Sequence, residues 1–219
     1  MDPKSVRAMV YYFILLTLSA PASAEIIYQD LPLVPKLAKT HGVVMGVAFT
    51  IMFPLGALLV RALKTKETVW VHVAFQLVGW VLMIAGLATG IKVGKILDRL
   101  HNNAHTILGT IVVVLMLAQP FVGFIHHRMF MKTQKRGAWT HIHIWYGRVL
   151  ILLGIINGGL GLQLASNSKG GTIAYGVVGG VMGAGYYIMA VVAEMKRRNQ
   201  KEDIGSEERL EERSKSQTA

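Results

Sequence analysis

Five stretches of this chain, at about residues 40–61, 69–91, 104–126, 140–165 and 172–195, carry almost no charge, and the charges crowd into the short gaps between them. Each is close to the roughly 20 residues that a helix needs to cross a hydrocarbon core of roughly 30 Å. In lipid every backbone N–H and C=O must find its partner inside the structure, so a spanning segment of this length is a helix. Short connections make consecutive helices antiparallel neighbours. The sequence therefore predicts an all-α membrane protein, an antiparallel transmembrane bundle of five helices. The whole-chain balance agrees, with 53% hydrophobic residues against 16% charged, where soluble domains carry about 25% charged residues.

The ends of the chain read differently from its middle. In residues 1–24, Lys4 and Arg7 precede an apolar run from Ala8 to Ala20, and Ala22-Ser23-Ala24 offers the small-x-small pattern of a signal-peptidase site. A cleaved signal peptide is expected there, with an uncleaved extra helix as the alternative. Residues 25–39, with Pro32 and Pro35, form a short extracellular segment, residues 40–195 the transmembrane domain, and residues 196–219 a charged tail, solvated or partly helical.

Basic residues set the orientation. Arg61, Lys64 and Lys66 follow the first span; Arg128, Lys132, Lys135 and Arg136 follow the third; Lys196, Arg197 and Arg198 open the tail. The opposite connections are poorer in basic residues, which puts the mature N-terminus outside and the C-terminus in the cytosol. An integral membrane protein of the secretory pathway follows, in the plasma membrane or a vacuolar or other endomembrane. The formal charge of +11 is membrane-flanking, so no nucleic-acid partner is expected. Cysteine is absent, which excludes disulfides, thiolate metal ligands and a cysteine nucleophile.

Ionisable side chains within membrane spans are costly and point to function. Four of the eight histidines, His41, His72, His105 and His143, lie at span ends, one on each of the first four helices. By the topology, His41 and His105 lie under the outer face, and His72 and His143 under the cytosolic face. Facing imidazoles on non-consecutive helices are what an axially bis-ligated haem needs. His72 shares a helix face with Gln76, Gly79, Met83, Gly86 and Gly90, and His143 with Gly147, Gly154 and Gly161. His105 is followed one turn later by Gly109. Such glycines are expected to let a flat macrocycle approach the backbone. His141 competes with His143, but the two point about 200° apart on a helix, and the glycine stripe favours His143. His101, His126 and His127 fall in or beside polar connections, where surface roles are expected. In the fifth span Gly176 with Gly180, and Gly179 with Gly183, stand in helix-packing register.

These residues resemble the cytochrome b561 superfamily, in particular the membrane core that follows an extracellular DOMON domain in many members. The likeness runs over roughly residues 40–165: His41-Gly42, Pro54-x-Gly56, Arg61, Trp70 before His72, Gln76, Gly79, His105-x-x-x-Gly109, Gln119-Pro120, Trp139-x-x-x-His143-x-x-x-Gly147-Arg148, Asn157 and Gly161. The resemblance implies two b-type haems, one ligated by His41 and His105 and the other by His72 and His143. It also implies electron transfer across the membrane, from a cytosolic small-molecule donor such as ascorbate to an outer acceptor such as ferric chelate, monodehydroascorbate or a redox protein. An oxidoreductase of the ferric-reductase or ascorbate-dependent type is the enzyme class this points to. No DOMON domain precedes the core in this sequence, so the outer redox partner is expected to be missing or a separate protein. The ascorbate-associated motif of the family is present only as Ala57-Leu58-Leu59-Val60-Arg61, without its aromatic residue.

Arg61, with Lys64 and Lys66, stands where an anionic donor arriving from the cytosol would be attracted. A homodimer is left open. Two other readings compete: a haem-free transporter using the histidines for a metal ion or a proton relay, and a haem-bearing anchor subunit of a larger dehydrogenase. The transporter calls for acidic residues in the spans, and these are nearly absent. The anchor subunit would copurify with partners.

Overall fold

The computed structural model describes residues 27–63, 65 and 67–217. The signal-peptide expectation for residues 1–24 falls outside them, as do Lys64 and Lys66. Among the described residues, five helices are long and apolar enough to cross a membrane: α1 (Tyr28–Ala62), α2 (Thr68–Ile96), α3 (Ala104–Thr133), α4 (Ala138–Leu164) and α5 (Lys169–Gln217). The all-helical antiparallel bundle is as the sequence predicts. The helices outrun the apolar spans at several ends. α1 already begins at Tyr28, inside the segment expected to be a short extracellular stretch, and α5 continues through the charged residues beyond 195. The hydrogen-bonded backbone of a helix does not stop where its apolar face stops.

Proline shapes two of these helices in opposite ways. Pro54 has no N–H, and its ring presses on the carbonyl four residues earlier. Ahead of it α1 widens into π turns over Val47–Met52 before resuming as a regular helix at Phe53–Ala62. Buried Thr50 donates its hydroxyl to the Gly46 carbonyl at 2.7 Å, satisfying that carbonyl where no water reaches. In α3 the chain tightens instead. The Ala118 N–H bonds the Leu115 carbonyl at 3.1 Å, just before Gln119-Pro120.

α1 packs against α2, and α3 against α4, as two antiparallel hairpins; α1–α4 and α2–α3 contacts close them into a four-helix bundle. α5 lies outside it, along α1 and α4. Two of its tyrosines fasten it to α4: Tyr175 donates to the Ile155 carbonyl at 2.8 Å and Tyr187 to the Arg148 carbonyl at 2.9 Å. The core is a mid-depth cluster of Ala48, Phe49, Phe53, Met83, Val112, Val113, Met116, Leu150 and Ile151 with Tyr186. Large apolar side chains such as Trp70, Val81, Phe121, Ile173 and Val181 face outward. In lipid, burying one apolar side chain against another brings little hydrophobic gain, so close fit and interhelical hydrogen bonds hold such a bundle.

The glycines show that fit, and they revise one expectation. A Cβ on Gly79 would strike the Phe53 ring, one on Gly86 would strike Met45, and one on Gly154 would collide with Phe49. Gly79 and Gly86 of α2 and Gly154 of α4 thus receive side chains of α1 at mid-depth, where the sequence reading expected room for a macrocycle. On α5 the packing register is divided. Gly179 and Gly183 face Ile155 of α4, whereas Gly176 and Gly180 have nothing within 4 Å of where a Cβ would stand.

Candidate functional site: two histidine pairs

The four span-end histidines meet in pairs across the bundle. His41 of α1 and His105 of α3 have ring centroids 5.8 Å apart with planes at 82°. His72 of α2 and His143 of α4 lie 6.3 Å apart at 85°. All four rings are half-buried, while His141 on the opposite face of α4 is exposed. The alternation follows from topology: helices running the same way bring their starts to the same level, so α1 meets α3 and α2 meets α4. The two levels lie at opposite ends of the apolar core. Gly86, whose carbonyl His41 contacts, stands on α2 fourteen residues beyond His72, which at about 1.5 Å of rise per residue separates the levels by roughly 20 Å.

Three of the rings are fixed by the same device. His41 Nδ1 is 2.7 Å from the Gly86 carbonyl, His72 Nδ1 is 2.9 Å from the Gly56 carbonyl, and His105 Nδ1 is 3.0 Å from the Asn157 carbonyl. A carbonyl oxygen can only accept, so each Nδ1 carries the proton and each Nε2 keeps its lone pair for a metal. A hydrogen bond of this kind orients a metal-binding imidazole and raises its basicity. His143 is the exception: its Nδ1 is buried and has no hydrogen-bond partner among the described residues.

Two glycines make room for rings at the His41 level. A Cβ on Gly90 would lie 2.7 Å from Cε1 and Nδ1 of His41, and one on Gly161 would lie 2.7 Å from Cε1 of His105. The arrangement is repeated between the hairpins. On α2 the accepting carbonyl and the ring-seating glycine lie fourteen and eighteen residues after His72; on α4 Asn157 and Gly161 lie at the same distances after His143. That doubled spacing is visible in the sequence and would have singled out Gly90, Gly161 and the Asn157 backbone as partners of the first and third helices' histidines.

His126 is the residue that sequence reading placed wrongly, at the surface. It is half-buried on α3, its ring stacked on that of His143 at 5.6 Å and 18°. Its Nδ1 lies 3.0 Å from Oγ1 of buried Thr140. It is the last residue of the expected span, 104–126, beside the polar connection that was expected to follow, whereas α3 continues as a helix to Thr133.

The same end of the bundle holds cations with little to neutralise them. Arg61 donates to the Ala57 carbonyl at 3.0 Å and lies within electrostatic reach of Tyr186, Arg148, Arg136 and His72. Arg148 is 9% exposed, with its guanidinium 4.7 Å from the centre of the Trp145 ring and its Nε unpartnered. The structure thus gathers Arg61 with residues that sequence reading did not group with it; Lys64 and Lys66 are outside the described residues.

The histidine pairs fit a bis-imidazole metal centre. A ring nitrogen binds a first-row transition metal at about 2 Å and the ring centre lies about 1 Å behind it, so two imidazoles on opposite sides of one iron have centroids roughly 6 Å apart. Both pairs have that spacing, with planes nearly perpendicular and, in three of the four rings, the free nitrogen already selected.

Comparison with known proteins adds a family resemblance. A family model described as a domain of unknown function, DUF2427, matches residues 33–129. A cytochrome b561 and DOMON domain-containing protein of Arabidopsis thaliana is 32% identical over 143 residues, 63% of this chain and 35% of that protein. A second protein of that name and organism is 32% identical over 140 residues, 62% of this chain and 34% of its own length. A third is 31% identical over 159 residues, 70% of this chain and 39% of its own. This chain therefore spans about a third of the length of the curated relatives it matches. No solved structure matches it.

Proposed function

We propose that this chain, a relative of the cytochrome b561 and DOMON domain-containing proteins, carries electrons across a membrane by way of two b-type haems. His41 and His105 would hold one and His72 and His143 the other. The observation that carries this reading is the pair of histidine pairs, each at iron-spanning distance and each drawn from alternate helices. A bound haem would supply one-electron exchange at its iron, and two imidazoles holding each iron would leave no place there for oxygen or substrate.

The chain's own residues do the rest. Carbonyls of Gly56, Gly86 and Asn157 hold three imidazoles in the tautomer that can ligate. The apolar core of Phe49, Phe53, Met83, Val112, Met116 and Leu150 fills the space between the two levels and excludes water and ions from it. Because the levels are roughly 20 Å apart, a hydrocarbon barrier of roughly 30 Å is divided into shorter steps.

The direction of transfer rests on charge. The basic connections at the His72 end read as cytosolic, and Arg61, with Lys64 and Lys66, would draw in an anionic, ascorbate-like donor there. At the other end the acceptor would be ferric chelate, monodehydroascorbate or a redox protein. The test is a reduced-minus-oxidised spectrum of the purified protein with a haem-to-protein ratio. Low-spin b-type bands at about two haems per chain are expected; a folded, haem-free protein would overturn the reading.

A further inference from the structure

We propose that His126 is the positioning residue of His143, holding that ring by stacking where the other three histidines are held by a backbone carbonyl. The inference rests on the haem reading above and extends it to a residue outside the ligand set. His41, His72 and His105 each find a carbonyl for Nδ1 on a neighbouring helix. The Nδ1 of His143 is buried and finds none among the described residues. Free rotation would then let that ring leave the orientation that faces His72.

His126 supplies the missing constraint. Its ring lies nearly parallel to that of His143, at 18° and 5.6 Å, within the range of an offset aromatic stack. The stacked ring is itself anchored by Thr140 Oγ1 at 3.0 Å. Thr140 stands three residues before His143 on α4, which puts the two on one helix face. α4 thus holds His126 with one side chain and receives its ring against the other. Gly123, one turn before His126 on α3, leaves the room: a Cβ there would lie 3.0 Å from Cε1 of His143. His126 is no substitute for the opposing ligand, because it runs alongside His143, whereas His72 crosses it at 85°.

The test compares His126→Ala, His126→Phe and Thr140→Val in the full-length, haem-loaded protein, reading haem content and the low-spin ferric electron paramagnetic resonance signals. His126→Ala is expected to shift the signal of one haem and to lower haem content toward one per chain. The other haem's signal stays unchanged and reports that the bundle is folded. His126→Phe, which keeps a ring but has no nitrogen to ligate or titrate, and Thr140→Val, which keeps the histidine, both retain the stack and lose its anchor, so each should fall between His126→Ala and the unaltered protein. Both haems retained with unaltered signals in His126→Ala would overturn the proposal, as would a His126→Phe protein as impaired as His126→Ala. Absence of haem from the unaltered protein would instead overturn the parent reading.

Discussion

The imidazole of His41 donates from Nδ1 to the backbone carbonyl of Gly86, 2.7 Å away on the neighbouring helix. One bond thereby ties α1 to α2, fixes the tautomer of the ring and sets its direction. Its counterpart runs the other way, from His72 of α2 to the Gly56 carbonyl of α1. The two histidines of one hairpin therefore lock the hairpin that presents them, and ligand geometry and helix packing cannot be altered separately.

Loss of a ligand should act by pairs. His41→Ala and His105→Ala are each expected to remove the same haem, and the double variant no more than either alone. His72→Ala and His143→Ala should remove the other. Haem-to-protein ratios of the four single and two double variants check this. Removal of different haems by His41→Ala and His105→Ala would break the pairing.

The ring-seating glycines should be selective. Gly90→Ala and Gly161→Ala push a methyl group against His41 and His105, and should perturb the haem at that level while sparing the other. Gly154→Ala meets Phe49 in the core instead. It is expected to cost about 1–3 kcal/mol of stability by overpacking, with both haem signals altered little. Detergent-denaturation midpoints and resonance spectra separate the two outcomes.

The two haems should differ in potential. A carbonyl-bonded Nδ1–H makes its ring a stronger donor and favours ferric iron; both rings of the His41 level have such a bond, but only one ring of the His72 level does. The haem of His72 and His143 is therefore expected to have the higher midpoint. Potentiometric titration of the parent and of the variants that lose one haem would assign each value.

Arg61→Gln should slow reduction by ascorbate and weaken its dependence on ionic strength, because the rate of capturing an anionic donor follows local positive charge. Haem content should stay unchanged. Stopped-flow reduction across a salt series is the measurement, and an unaltered salt slope would remove Arg61 from donor capture.

On α5 the two glycine registers should behave oppositely. Gly179→Leu meets Ile155 of α4 and is expected to loosen the helix from the bundle, whereas Gly176→Leu enters open space and should leave monomer stability intact. Thermal unfolding in detergent distinguishes them.

Much of this arrangement is legible in the sequence because a bilayer is a strict reader of polarity. Charge-free length gives the helices, short connections give their direction, and direction alone brings His41 level with His105 and His72 level with His143. The rest is hidden for identifiable reasons. The groups that orient three of the rings are backbone carbonyls, which every residue possesses, so no side chain advertises Gly56, Gly86 or Asn157. The glycine stripes of α2 and α4 look alike whether the neighbour is a cofactor or a phenylalanine, and only the packed helices show Phe49 and Phe53 entering them. His126 is the last residue of its expected span, where polar residues begin but the helix does not end. Thr50 reads as a lone polar residue in an apolar run, and its role appears only once the turns around it widen.

Those widened turns have a consequence for α1 as a mechanical part. From residue 72 to residue 86 α2 takes fourteen steps between its two bonds to α1, but from residue 41 to residue 56 α1 takes fifteen between the same two bonds. In a regular helix one surplus residue rotates everything after it by about 100°. The Gly56 carbonyl would then swing away from His72, and Arg61 would turn with it. The π turns at Val47–Met52 absorb the surplus. They act as a phase adjuster between two otherwise rigid rods, one bearing His41 and the other bearing Gly56 and Arg61. The two ends of the protein are thus indexed to one another through a single stored residue: closing the π turns into regular helix with that residue still present would put the ends out of step, whereas removing it together with them would leave the ends in phase.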